Sequence, residues 1–134
     1  MSEASPPSLP VDPVAHIVPL IGEDAVRTLV AAFYRRVPRD PILGPMYPPQ
    51  DLSGAQARLT SFLVQRFGGS KAYSRERGHP RLRMRHAPFR VDQAARDRWM
   101  ELMRAAMDEL GFDARVRAEV EVFLDGVATF LVNS

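Results

Sequence analysis

The sequence predicts an all-α chain, and three features carry the prediction. Apolar residues recur at spacings of three and four through most of its length, the period of helices with one buried face. Prolines, glycines and aspartates punctuate the ends of those stretches, where helix stops and caps belong. Strand-like alternation is nearly confined to "RLRMRH", residues 81–86, which is short and directly follows His79-Pro80. With 134 residues, 46% of them hydrophobic, the chain suits one domain with a real core.

Residues 1–11 are rich in Pro and Ser and read as a disordered arm ahead of a domain over 12–134. Asp12-Pro13 starts a short helix, capped by the aspartate and opened by the proline, ending near Pro19. Val26, Leu29, Val30, Phe33, Tyr34 and Val37 form the inward stripe of a second helix, stopped by Pro38. Asp40-Pro41 begins a single turn closed by Gly44-Pro45. Asp51 or Ser53 caps a third helix with Leu52, Ala55, Leu59, Phe62, Leu63 and Phe67 inward, ended by Gly68-Gly69. A polar loop runs to Gly78, and a short helix spans Pro80 to Pro88. Asp92 caps a long helix with Ala95, Trp99, Leu102, Met103, Ala106 and Leu110 inward and Gly111 at its end. Asp113 caps the last, with Val116, Val120, Phe123, Leu124, Val127 and Leu131 inward. Six or seven helices result, with no internal repeat.

Composition narrows the function. No apolar run approaches the roughly 18 residues of a membrane span, and "MSEASPPSLPVDP" lacks the pattern of a signal peptide. Cysteine is absent, which excludes disulfides and thiolate metal sites. A cytoplasmic location and no membrane partner are expected. Eighteen Lys and Arg against 16 acids give a net charge of +2. All the basic residues but Lys71 are arginines, which suit phosphates and carboxylates. An arginine-rich helical module for nucleic acid is therefore one reading, but the charge is small and spread over most helices.

The stretch "HPRLRMRHAPFR" holds two of the three histidines among four arginines. Leu82 and His86 are four apart and share one face of a short helix. Leucine wants burial, so His86 faces inward. A buried neutral imidazole needs partners for both nitrogens; a satisfied core histidine or a ligand both answer that. Tyr34, Tyr47 and Trp99 are three aromatic donors on three other elements, and buried ones need polar partners. No triad, phosphate loop or multi-ligand metal cluster is visible. One histidine is too few ligands for zinc, but enough for haem iron, which brings its own equatorial ligands.

The segments "AAFYRRVPRDPILGPMYP", "DLSGAQARLTSFLVQRFGG", "YSRERGHPRLRMRHAPFRV" and "RDRWMELM" resemble a group II truncated haemoglobin, over roughly residues 14–132. The resemblance implies a two-over-two helical sandwich around haem b (iron protoporphyrin IX). It places the proximal iron ligand on His86, with His79 the next candidate. Tyr34 then faces the ligand, Tyr47 stands at the corner beyond, and Trp99 is the distal tryptophan. Ala55, Leu59 and Phe62 line the distal wall, and Arg58, Tyr73 and Arg85 match propionate partners. Where the family often has Gly-Gly before the second helix, this chain has Ile21-Gly22.

The resemblance further implies an iron able to take a sixth ligand, O2, NO or CO, under a Tyr/Trp hydrogen-bond network. Tyr34 and Trp99 are the expected donors, with Tyr47 donating as well or orienting Tyr34. Such a network slows O2 release. That favours scavenging, sensing or redox chemistry over delivery, including NO dioxygenase or peroxidase-like activity with a reductase. A monomer or homodimer is expected.

Overall fold

The computed structural model describes residues 14–69 and 91–133, and every regular element among them is helical. Pro19 does not end the first helix; it is the third residue of α1 (Ile17–Ile21). In a first turn the missing N–H has no intrahelical acceptor to lose. The stop comes at Gly22, with φ 87°, whose N–H donates to the Val18 carbonyl at 2.7 Å. Ile21 keeps helical backbone, so one glycine suffices at this junction.

Helix α2 (Glu23–Arg36) buries Val26, Leu29, Val30, Phe33 and Tyr34, and Val37 follows them inward. Its acids stand in the first turn and its arginines in the last, as the helix dipole favours. Beyond it the chain tightens into a 3-10 turn, Val37–Arg39, that takes in Pro38.

Asp40 comes next and is the buried charged residue among those described, 4% exposed. Its Oδ2 accepts the N–H groups of Ile42 at 3.0 Å and Leu43 at 2.8 Å, and its carbonyl accepts Gly44 N–H at 2.9 Å. Its other oxygen pairs with Arg98 Nε from a distant helix. Burial opposes the charge, but the backbone N–H of Leu43, Arg98 and the N–H of Ile42 outweigh it and hold the carboxyl below its ordinary value. Two further 3-10 turns, Gly44–Met46 and Pro49–Asp51, flank Tyr47.

Helix α3 (Leu52–Arg66) has Asp51 at its N-cap position, yet the side chain caps nothing. The carboxylate turns instead to Arg58, at 2.6 Å. Phe62, Leu63, Val64 and Phe67 are buried, while Leu52, Ala55 and Leu59 are half-buried against the core. Gly68 ends the helix with φ 94°. A Cβ there would stand 1.9 Å from the Ala15 carbonyl oxygen, so only glycine lets the segment before α1 pass. Val18 N–H then donates to the Phe67 carbonyl at 2.7 Å.

Helix α4 (Gln93–Leu110) is capped by Asp92, which accepts Ala95 N–H at 2.8 Å, and closed by Gly111 with φ 64°. Ala95, Leu102, Met103 and Ala106 are buried as expected; Met100 and Met107 are buried too. One helical stripe underestimates this helix because it packs against α2 and also against α5 (Ala114–Phe130). Asp113 caps α5 through Arg115 N–H at 3.1 Å and Val116 N–H at 3.5 Å. Val116, Val120, Leu124 and Ala128 are its buried face; Phe123, Val127 and Leu131 are half-buried. Helix α2 thus packs against both α3 and α4, and α4 against α5, whose Phe123 reaches back to Phe62 and Phe67.

Gly68→Ala combines left-handed backbone with a backbone clash and should lower stability by about 1–3 kcal/mol or more. Gly126→Ala, at an exposed α5 position with open space around the new Cβ, should raise it by up to about 1 kcal/mol. Thermal unfolding of both variants checks the pair. Asp40 has a folded-state pKa below its unfolded one, so its contribution is present at neutral pH and is lost as pH falls through the folded value. The stability difference between the native chain and Asp40→Asn should therefore be full above about pH 5 and shrink below about pH 4, as read by denaturant titrations across that range.

Candidate functional site

The last turns of α2 place Phe33 and Tyr34 side by side, both buried, and their rings meet edge to face at 4.9 Å. Trp99, from the first half of α4, leans on Phe33 at 5.0 Å with the planes tilted by 56°. Tyr47, from the corner between the 3-10 turns, meets Tyr34 edge to face at 5.6 Å. Three elements far apart in sequence so bring four aromatic rings into one cluster.

Their polar tips meet at the Tyr47 oxygen. The Tyr34 hydroxyl and the Trp99 indole N–H are both hydrogen-bonding neighbours of the Tyr47 hydroxyl. Burial pushes the Tyr34 hydroxyl far above the ordinary tyrosine value; the Tyr47 neighbour adds to the rise, and Arg58 opposes it. Burial also raises Tyr47, against its hydrogen bonds with Trp99 and Tyr34. Both phenols stay protonated at neutral pH, so the cluster is a set of donors and holds no base. With Tyr34 and Trp99 as its hydrogen-bonding neighbours, Tyr47 still has its own proton to offer a third group.

Beside the cluster, Ala55, Leu59 and Phe62 of α3 give an apolar wall within the same core. Phe62 stacks on Phe123 of α5 at 6.3 Å, and Phe67 meets that ring edge-on at 5.5 Å. Arg58 is 30% exposed and paired with Asp51; Gly54 leaves room for the pair, since a Cβ there would be 2.5 Å from Asp51 Oδ1. Tyr34, Tyr47, Trp99, Leu59, Phe62 and Arg58 are therefore all placed. His86, Tyr73, Arg85 and His79 lie outside the described residues. Among those described, no group of His, Cys, Asp and Glu could hold a metal ion. His16 is turned outward to Glu119, at 2.9 Å.

Sequence reasoning missed two participants. Phe33 was legible only as a core stripe residue, yet it joins Tyr34 to Trp99. Asp40 was legible as a turn former, but nothing nearby in sequence announces its partner, 58 positions away. The arginines are largely engaged with acids: Arg35 and Arg36 with Glu109, Arg96 with Asp125, Arg104 with Glu121, and Arg117 with Asp108. Paired in this way the arginines among the described residues form no basic face, and the nucleic-acid reading has no support.

The chain belongs to the bacterial-like globin family, whose family model matches residues 19–131. It is 38% identical over 113 residues to the group 2 truncated hemoglobin YjbI of Bacillus subtilis, covering 84% of this chain and 85% of that one. The solved truncated oxygen-avid haemoglobin from Bacillus subtilis superimposes with a TM-score of 0.82 at 37% identity, over 87% of this chain and 98% of that one. The group II truncated hemoglobin from Bacillus anthracis does so with a TM-score of 0.81 at 35% identity, over 95% of each. The five α-helices are therefore a truncated two-over-two globin fold, and membership implies a haem cofactor and the binding of diatomic gases. No helix among the described residues is long and apolar enough to cross a membrane.

Proposed function

We propose that this chain binds haem b through His86 and retains O2 with the Tyr34–Tyr47–Trp99 cluster. The observation that carries the reading is the gathering of Phe33, buried Tyr34 and half-buried Tyr47 and Trp99 into one cluster, with ring contacts of 4.9, 5.0 and 5.6 Å. The described residues fit such a group: an apolar wall excludes water, and protonated donors gather at one corner of it. When bound, haem supplies an iron with a coordination position open to a diatomic gas.

The chain's own residues do the rest. Tyr34 and Trp99 orient Tyr47, so that its proton is the one offered to the ligand. In a dry, low-dielectric pocket such a donor is stronger than in water. Leu59, Phe62 and Ala55 keep that pocket dry. Arg58, Tyr73 and Arg85 hold the propionates, and Arg58 does so while anchored to Asp51. A polar ligand such as bound O2 gains most from these donors, CO least. Such a donor network slows O2 release, which favours scavenging, sensing or redox use over delivery. The B. subtilis relative described as oxygen-avid supports the same reading. NO is a second ligand, and an NO dioxygenase or peroxidase-like activity would draw electrons from a reductase partner. We place the protein in the cytoplasm as a monomer or homodimer.

Replacing His86 with Ala should greatly weaken haem retention, with partial recovery on adding imidazole. Unchanged haem content and an unchanged ferrous spectrum would move the ligand elsewhere, His79 being next. On the distal side, a lost hydrogen bond of about 1–2 kcal/mol corresponds to roughly ten-fold in O2 dissociation. Tyr34→Phe and Trp99→Phe should each approach that, Tyr47→Phe should reach or exceed it, and CO association should change less. The Tyr34/Trp99 double variant should be less than additive, because both act through one oxygen. If Trp99→Phe leaves O2 release unchanged and speeds uptake of CO and O2 alike, Trp99 is a steric plug and not a donor.

A further inference from the structure

Asp40 touches neither Tyr47 nor Trp99, yet it grips the two pieces of chain that carry them. On one side its carboxylate accepts the N–H groups of Ile42 and Leu43, and its carbonyl accepts Gly44 N–H. Three residues on, Tyr47 N–H donates to the Gly44 carbonyl at 3.2 Å. The backbone leading to Tyr47 is therefore wound on Asp40. On the other side, the same carboxylate holds Arg98, the residue immediately before Trp99 on α4. Arg98 is fixed from its other end by Glu101, at 3.0 Å.

A buried carboxylate spends its charge where geometry is best defined, because leaving it partly satisfied is costly. Asp40 is 4% exposed and has three side-chain acceptor contacts, divided between corner and helix. Swinging the corner away from α4 would break the Arg98 pair. Sliding α4 along the corner would break it as well. Trp99 and Tyr47 are neighbours across that same boundary.

We propose that Asp40, through Arg98, is a positioning residue for the distal cluster: it sets the corner against α4 so that the Trp99 indole N–H meets the Tyr47 oxygen. The proposal rests on Tyr47 and Trp99 acting in ligand retention, and it extends the site to a residue that contacts neither.

The chain has a single tryptophan, so its indole N–H gives one resonance in a proton–nitrogen correlation spectrum of the reduced, CO-saturated protein. Tyr47→Phe marks where that resonance lies when the hydrogen bond is lost. Asp40→Asn keeps an oxygen for the Ile42 and Leu43 N–H groups but loses the charge that holds Arg98. It should move the indole resonance at least halfway to the Tyr47→Phe position and raise O2 dissociation roughly threefold, a partial loss of one hydrogen bond. Arg98→Met, at a side chain 38% exposed, should do the same while lowering stability, because the buried carboxylate loses its cation, and Arg98→Lys should restore most of both. In the Tyr47→Phe background, Asp40→Asn should add nothing further to either readout.

Val120→Ala, a core change in α5, separates positioning from general loosening; it should lower stability and leave the indole resonance in place. The proposal is overturned if Asp40→Asn and Arg98→Met leave the resonance where the native chain has it while Tyr47→Phe moves it. It is equally overturned if Val120→Ala displaces the resonance as far, or if Asp40→Asn keeps its threefold effect without the Tyr47 hydroxyl. Failure of the ligand-retention reading looks different: O2 release is then indifferent to Tyr47→Phe, and the indole resonance still decides the role of Asp40.

Discussion

Tyrosine and tryptophan carry a large apolar body and one polar tip, and burying the body obliges the chain to place the tip. In this protein three such tips meet at one oxygen, that of Tyr47. Helix α2 must present Tyr34 at its C-terminal end, α4 must present Trp99 in its first half, and the corner must bring Tyr47 between them. Much of the fold is arranged around that meeting. Phe33 fills the space between Tyr34 and Trp99, the 3-10 turns shorten the path from α2 to Tyr47, and Asp40 anchors that path to α4.

Charge is distributed in the opposite sense. On the surface, arginines and acids pair across α2, α4 and α5, and such exposed pairs contribute little individually. Among the described residues one carboxylate, that of Asp40, is enclosed and fully hydrogen-bonded. The contrast explains why the described helices, with so many arginines, show no basic face, and why their electrostatics matter most at a residue that no charge count singles out.

Helices were legible wherever periodicity and punctuation agreed. The stripe of α2 and the caps Asp92 and Asp113 are of this kind, because a helix end and a buried face are both local properties. Departures occur where a local cue met a distant partner. Pro19 looked like a stop but sat in a first turn. Asp51 looked like a cap but found Arg58. Met100 and Met107 looked peripheral until a second helix covered them. The distal tyrosines and tryptophan were legible through family resemblance and the awkwardness of buried donors; their common focus on one oxygen is a property of three-dimensional packing. His86, the residue most visible in the sequence, lies outside the described residues, so its role rests on motif and family.

The buried face of α4 contains Met100, Met103 and Met107, all fully enclosed. Unbranched thioether side chains have more rotatable bonds than the aromatic and β-branched groups on the opposing face of α2, and they adapt to irregular gaps. The helix that carries Trp99 therefore rests on a compliant bed, while the helix that carries Tyr34 is set in a stiff one. Repacking along α4 needs only rotations about thioether bonds, whereas along α2 it needs costly changes at aromatic and β-branched side chains.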